Sequence, residues 1–520
     1  MRIISTLLRS LLVLATLAPA GLLLNVPNAR PKVSKNWDTA LSLTWQGLKT
    51  RNIDAYTTGM IHRPKSESPG DIVSESQGYG MILALFSGDQ KTFNSIWAAS
   101  ETKLWTGNGY NWRADVNGSV AAIGGQGIAT DADQDIAFIL IFADKLVQKG
   151  IWPSYSLPNG GPTYAQRAQV MLNEIWSKLV VSVNVNGAQS YILAPGEWGG
   201  WNTFNPGYCA PAYYRIFKDY DATTTHDWMT LLNQCYTSIA INPGDSIGVG
   251  PDWMTGAGQL LSNGPGYNAF DKGHSMYKDG IRILWRVATD ALWFNEARAK
   301  TFLTSSMAFL NRNGGATYAN FFDMKGKPCP KDSLFIFDGG KINRPRYEHS
   351  HLTIGMWATA AMAVGTNVDR EAMSREMQLY YTPGTTFFGR ATDSANEDTL
   401  HNEMYFDQFL AWFGTAMMDG AYSNIIYDLD NPPPVSTIAT RTAQASRLLV
   451  KCKGRNVQIL LENGQAQHLS IMDTKGQQLI SLAVGSDGTS HWDASSFEPG
   501  LYIAIARNAS QQWTRSFVVH

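Results

Sequence analysis

Residues 129–147 read Ala129-Thr130-Asp131-Ala132-Asp133-Gln134-Asp135-Ile136-Ala137-Phe138-Ile139-Leu140-Ile141-Phe142-Ala143-Asp144-Lys145-Leu146-Val147. Ala132, Ile136, Ile139, Leu140, Ala143, Leu146 and Val147 recur at the three-and-four spacing of one helix face. Downstream, Ala165, Ala168, Met171, Leu172, Ile175, Trp176 and Leu179 repeat that spacing. Further helical patterns cover 281–297, 353–364 and 407–418. Between them lie Gly/Asn/Trp-rich stretches such as Trp198-Gly199-Gly200-Trp201-Asn202. A doubly wound sheet needs Val/Ile-rich strands alternating with helices, and none are found. Many helices separated by elaborate loops fit a helical barrel whose loops build one functional face.

That texture ends at Asn431-Pro432-Pro433-Pro434-Val435, a stiff linker. Beyond it, Val457, Ile459 and Leu461 alternate with other residues, and turn signals follow at Asp473-Thr474-Lys475-Gly476 and Ser486-Asp487-Gly488. Short strands at such spacing predict a small all-β sandwich over 441–520. At the other end, Arg2 and Arg9 precede the apolar run Leu11–Ala18, and Ala18-Pro19-Ala20 has the form of a cleavage site, with Pro27-Asn28-Ala29 as a second choice. Residues 1–29 therefore read as a secretory signal; the run is short for a span of ~20 residues, and an uncleaved anchor is the alternative. The expected domains are a signal at 1–29, a helical domain at 30–427, a linker at 428–440 and the β module at 441–520.

The 520 residues carry 42 Lys+Arg against 43 Asp+Glu, a balance that argues against a nucleic-acid partner. With 44 % apolar and 16 % charged residues, wholesale disorder is excluded. The 17 Trp, 21 Tyr and 21 Phe beside 47 Gly suit a sugar-binding cleft, since flat rings stack on the apolar faces of pyranoses; a large aromatic core is the other reading. Among four cysteines there is no Cys-x-x-Cys pair, and Cys209 with Cys235 is a candidate bridge. His349 and His351 read as satisfied polar groups rather than metal ligands, and no metal or cofactor is expected.

Three acidic sites stand at the starts of helical patterns. They are Ser74-Glu75-Ser76-Gln77-Gly78-Tyr79-Gly80-Met81, the Asp131/Asp133/Asp135 triplet, and Tyr277-Lys278-Asp279-Gly280-Ile281-Arg282-Ile283-Leu284-Trp285-Arg286. Taken singly, each has a bland reading. Glu75 suits a helix-dipole partner, Asp131 a position near the cap with Asp135 one turn on, and Asp279 a cap or a partner of Arg282 or Arg286.

Taken together, the three stretches resemble glycoside hydrolase family 8. Residues 74–81 match the form Ser-Glu-Gly-Gln-x-Tyr-Gly-Met apart from Ser76. Residues 129–137 match Ala-(Ser/Thr)-Asp-(Ala/Gly)-Asp-x-x-Ile-Ala throughout. Residues 277–286 keep Asp279, Arg282, Trp285 and Arg286 of the third motif, but carry an extra Lys278 and replace a Pro by Leu284. The likeness spans roughly 35–425 in the family's motif order. It implies an (α/α)6 barrel with a cleft across one end, and inverting hydrolysis of a β-1,4-linked polysaccharide. Glu75 would be the general acid, Asp279 the general base, and Asp131 the group that binds and distorts the sugar at the scissile site. Arg282 near Asp279 would keep the base ionised. Trp112, Trp198, Trp201, Tyr208, Trp253 and Tyr277, all in loop-like segments, are the expected substrate platforms, with Asn111 and Arg113 as neighbouring hydrogen-bonding groups. Tyr347 and Trp412 are less clear.

Residues 131–137 look more like the cellulase-type members than the xylanase-type ones. Asp279 and the -1 charge of the chain disfavour a chitosan substrate. The leading expectation is a secreted endo-β-1,4-glucanase. An endoxylanase on the same scaffold, and a non-catalytic glycan-binding protein, are the alternatives; binding alone would not require this acid set. The tail 441–520 resembles C-terminal sorting or attachment modules of bacterial secreted proteins, implying secretion machinery or a cell surface as partner. Carbohydrate binding through Trp492 or Trp513 and a purely stabilising role are its other readings. N-terminal sequencing of the exported product is expected to start after Ala20 or Ala29, and an intact Met1 would count against cleavage.

Overall fold

Helices that are apolar around their whole circumference have no face to offer water and must be enclosed. The chain alternates helices buried over most of their residues with ones that bury a single stripe. In the computed structural model these are, in chain order, α1 (Asp38–Lys49), α2 (Ser74–Phe86), α3 (Gln90–Lys103), α4 (Thr130–Gln148), α5 (Tyr164–Leu179), α6 (Pro211–Tyr220), α7 (Trp228–Ala240), α8 (Arg282–Phe294), α9 (Ala297–Arg312), α10 (His351–Val364), α11 (Asn367–Gln378), α12 (Tyr405–Asp419) and the short α13 (Ile425–Asp430). The structure describes residues 31–64, 70–261, 275–329, 334–336, 343–345, 349–389, 405–430 and 447–519, the last without 463–467, 474–477, 486–488 and 508–511. The signal segment, Tyr347 and most of the expected linker lie outside the described residues.

The even-numbered helices α2 to α12 form an inner ring in which each touches the next and α12 touches α2, closing the circle. The odd-numbered α1 to α11 pack outside, one against each inner helix. This is an (α/α)6 barrel. In α2 all residues but Glu75 are buried, and α10 buries twelve from His351 to Met362. Outer helices start on side-chain caps that satisfy their free N–H groups, as in the Thr163/Gln166 capping box of α5 and the Thr366/Asp369 box of α11. The pattern read over 281–297 divides in two, because Asn295 ends α8 in the left-handed conformation (φ 58°) and Glu296 caps α9.

Short strand pairs fasten the loops at one end of the barrel. β1 (Ile72–Val73) pairs with β2 (Arg113–Ala114), putting Val73 opposite Arg113. β3 (Val180–Val185) and β4 (Ala188–Leu193) form a hairpin turning on Asn186-Gly187, both at positive φ, as a primed two-residue turn requires. β5 (Ser275–Met276) pairs with β6 (Phe322–Asp323), and β7 (Leu334–Ile336) with β8 (Asn343–Pro345).

The chain divides into two compact units between Pro433 and Pro434. Residues 428–430, expected in the linker, belong instead to α13: Asp428 is buried, and Asp430 pairs with Lys145 and Lys149 of α4. In the second unit, β9 (Arg447–Lys453), β10 (Asn456–Glu462) and β13 (Thr489–Asp493) form one antiparallel sheet. β11 (His468–Met472), β12 (Gln478–Leu482), β14 (Gly500–Arg507) and β15 (Gln512–Val519) form the other. Val457, Ile459, Ile471, Trp492, Ala504 and Phe517 share the core between them, the alternation expected of a sandwich. Trp492 is 3 % exposed, edge-on to Phe497 and Tyr502, so it is core rather than a platform; Trp513 is half-buried against the same core.

Cys209 and Cys235 are buried thiols rather than a bridge. No described helix is long and apolar enough to cross a membrane. Glycines let two inner helices approach closely: a Cβ on Gly414 of α12 would lie 2.1 Å from the carbonyl oxygen of Gly355 in α10. Gly414→Ala is therefore expected to force the helices apart and cost about 1–3 kcal/mol. Chemical denaturation of the full chain checks this, with unchanged stability as the contrary result.

Candidate active site

Three carboxylates reach one end of the barrel because three inner elements begin there. β1 runs directly into α2, so Glu75 occupies the first turn of a helix whose start is pinned by the Ser74 N–H donating to the Trp112 carbonyl at 2.9 Å. Asp131 lies in the first turn of α4. Asp279 sits in the turn before α8; that turn is held by Asp252, whose Oδ1 accepts from the Tyr277 and Gly280 N–H groups at 2.7 Å each. Helix N-termini carry partial positive charge, so each start tolerates an acid.

What joins the three is Arg282, the first residue of α8 and fully buried. Its Nη1 lies 2.5 Å from Glu75 Oε2, 2.8 Å from Asp131 Oδ2 and 3.0 Å from the Tyr79 hydroxyl. Its Nη2 donates to Asp279 Oδ1 at 3.0 Å. The guanidinium also lies over the Tyr208 ring, 4.8 Å from the centroid. A planar fork that never deprotonates suits this position; a lysine has one charged tip and could not span the set. One turn further into the barrel, Arg286 forms a buried bidentate pair with Asp135 at 2.5 and 2.8 Å. Asp133 turns away to accept from the Tyr110 N–H at 3.1 Å.

The acids are not in equivalent surroundings. The side chain of Asp279 is 28 % exposed, that of Glu75 15 % and that of Asp131 4 %. Burial dominates for Glu75 and pushes it up, with the Asp131 charge adding to the push. The Arg282 cation and the Tyr405 hydroxyl, which donates to Glu75 Oε1 at 2.5 Å, pull the other way. Burial wins, and the Glu75 carboxyl is raised to about 8. At neutral pH it holds a proton while sharing an arginine with the more exposed Asp279.

These groups open into a cleft of about 530 Å³ lined by Glu75, Asp131, Asp279, Glu197, Lys278 and Tyr405, among others. Trp112, Trp198, Tyr208 and Trp253 also line it. Trp198 is exposed and stacks on Trp253 with centroids 5.7 Å apart. Two expected platforms lie elsewhere. Trp201 packs its ring over Gly256, and Tyr277 is buried with its ring 4.6 Å from Phe321. Asn111 is spent on structure, donating to the Leu104 carbonyl and accepting from the Gly127 N–H. Arg113 lines the cleft beside Trp112, its guanidinium 5.5 Å from that ring's centroid. Its Nε donates to Asp71, which Arg63 also grips. Burial pushes Asp71 up, but the two arginines outweigh it and hold the carboxyl below the usual range.

Of the motif departures, Ser76 is absorbed locally, its hydroxyl donating to the Val73 and Ile61 carbonyls, and Leu284 is core. Lys278 lines the cleft with its ammonium 5.7 Å from the Phe406 ring centroid. Trp412 is fully buried. His349 contacts the Ala319 carbonyl and Glu376, and His351 contacts Gln408. Among the described residues no group of three or more His, Cys, Asp or Glu could hold a metal. Sequence reasoning missed Tyr405, 330 positions from Glu75 with no local motif of its own.

Residues 32–322 match the glycosyl hydrolases family 8. Endoglucanase 2 of Ruminiclostridium josui is 33 % identical over 354 residues, covering 67 % of this chain and 68 % of that protein. Endoglucanase A of Acetivibrio thermocellus is 32 % identical over 307 residues, covering 58 % of this chain and 59 % of that one. The structure of a β-1,3-1,4-glucanase from Paenibacillus sp. X4 superposes with a TM-score of 0.56 over 78 % of this chain and 99 % of the other, at 19 % identity, a likeness of fold.

Removing one member of the Asp135–Arg286 pair leaves a buried charge uncompensated. Asp135→Ala is expected to cost about 3–5 kcal/mol, measured by denaturant unfolding; a loss below about 1 kcal/mol, the level of an exposed pair, would contradict it.

Proposed function

The chain belongs to family 8 of the glycosyl hydrolases as an endoglucanase, and on that premise we propose that it cleaves internal β-1,4-glucosidic bonds of cellulose or a mixed-linkage β-glucan with inversion. The observation that carries the assignment of roles is the convergence of Glu75, Asp131 and Asp279 on Arg282 in an aromatic cleft.

Cleaving a glycosidic bond requires a proton for the departing oxygen and a nucleophile at the anomeric carbon. Glu75, held protonated by burial, is the general acid. Asp279, the most exposed of the three and adjacent to the Arg282 cation, is the general base that takes a proton from water on the opposite ring face. That water then adds as the leaving group departs, so the anomeric configuration inverts; the two carboxyls need ~6.5–9.5 Å between them to admit it. Asp131, almost fully enclosed, binds the sugar at the scissile site and favours its distorted ring. Trp112, Trp198, Tyr208 and Trp253 stack on neighbouring glucosyl faces. Support for a glucan comes from the two endoglucanases and from the Asp131–Ala137 stretch. We further propose that residues 1–29 direct export and that the β module serves sorting or attachment; deleting 441–520 would then lower secretion while sparing hydrolysis of soluble substrate.

Reducing-sugar release is expected from carboxymethylcellulose and lichenan, assayed beside xylan and chitosan; preference for xylan would transfer the assignment to an endoxylanase. Proton NMR of early products should show the α-anomer first. Glu75→Gln and Asp279→Asn are each expected to lower kcat by about 10²–10⁴, and near-normal activity in either removes that role. Because the acid works only while protonated, kcat/KM should fall as pH rises through about 8. A plateau continuing well above that pH would exclude Glu75 as the group observed.

A further inference from the structure

Glu75 has two oxygens, and the structure gives them different neighbours. Oε2 faces Arg282 Nη1 at 2.5 Å, and Oε1 faces the Tyr405 hydroxyl at 2.5 Å. A guanidinium donates and cannot accept, so on the Oε2 side a proton has only the Asp131 carboxyl to turn to, the group that shares a hydrogen bond with Glu75 and is itself tied to the same Nη1. A phenol both donates and accepts, so Oε1 keeps a partner whether it is bare or protonated. Tyr405 opens α12 and lines the cleft, and its ring is fixed edge-on by Phe406 and Phe409.

We infer that Tyr405 is a positioning residue which holds the transferable proton on Glu75 Oε1 and aims that oxygen at the departing glycosidic oxygen. This rests on the assignment of Glu75 as the acid. When the carboxyl is protonated, Oε1–H donates to the Tyr405 oxygen. As the glycosidic bond breaks, that proton passes to the leaving oxygen, and the Tyr405 hydroxyl turns to donate to the carboxylate left behind. The same hydroxyl thus accepts before proton transfer and donates after it, so the loss of negative hydration in a buried site is offset at the moment charge appears. The other charged and titratable groups facing Glu75 are Arg282 from α8, Asp131 from α4, Tyr79 on its own helix and Tyr208 from the loop before α6. Arg282, Asp131 and Tyr79 already meet at Nη1 on the Oε2 side.

Tyr405→Phe keeps the ring and removes the hydroxyl. Expected is a kcat on lichenan lower by about ten- to a hundredfold, as for loss of one hydrogen bond to a charged group, with KM little changed. Since the hydroxyl favours the carboxylate, the alkaline limb of kcat/KM should move to higher pH. The discriminating substrate is an aryl β-cellobioside with an acidic phenol such as 2,4-dinitrophenol, whose departure needs no proton; on it the variant should match the parent. Equal losses on both substrates would mean a structural role and overturn the inference, as would unchanged kinetics on lichenan. Glu75→Gln separates the two claims. If it loses lichenan activity but keeps the aryl substrate while Tyr405→Phe behaves as the parent, the acid stands and the positioning falls. If Glu75→Gln keeps lichenan activity, the acid assignment itself fails and the inference goes with it. A thermal melt confirms that each variant is folded.

Discussion

A single arginine with no exposed surface sets the terms for the whole cleft. Arg282 carries one positive charge and faces three carboxyls, so the site cannot be electrically satisfied with all three ionised. Enclosing an ion costs several kcal/mol unless its partners are well placed, and here those partners come from α2, α4 and the turn before α8. Burial, helped by the neighbouring Asp131 charge, raises Glu75 to about 8, so near neutrality the cluster keeps a proton there.

The barrel holds those partners in place around Arg282. Inner helices pack at close quarters, as at Gly355 and Gly414, so their first turns cannot drift relative to one another. The Arg286–Asp135 pair repeats, one turn deeper, the link between α8 and α4 that Arg282–Asp131 makes at the surface of the cleft. Two arginines on one helix, four positions apart, therefore register two inner helices at two depths. The β1–β2 pairing does the same for the wall, tying Trp112 and Arg113 to the strand that leads into Glu75.

Aromatic residues divide by neighbourhood rather than type. Trp198 and Trp201 are three positions apart in one Gly-rich loop, yet one stands exposed on Trp253 while the other closes over Gly256. Tyr208 lines the cleft and also lies against the Arg282 cation. Cleft walls and core in this barrel are built from the same residues, which is why 59 aromatics in the chain do not translate into 59 binding surfaces.

Helical periodicity is local, and so the sequence alone determined the helical patterns over 132–147, 165–179 and 353–364, the alternation that makes the second unit a sandwich, and the three acidic motifs, whose residues are near neighbours in the chain. A hairpin at Asn186-Gly187 was also written there in a two-residue signal and went unread. Tertiary structure decided whatever depends on distant partners. It placed Asn295 as the break between α8 and α9, kept Cys209 and Cys235 as thiols, took 428–430 into the barrel, turned Tyr277 and Trp201 inward, and brought Tyr405 to Glu75 across 330 positions. Spacing along a chain reports which face of an element a residue occupies; which other element that face meets is fixed only when the ring of helices closes.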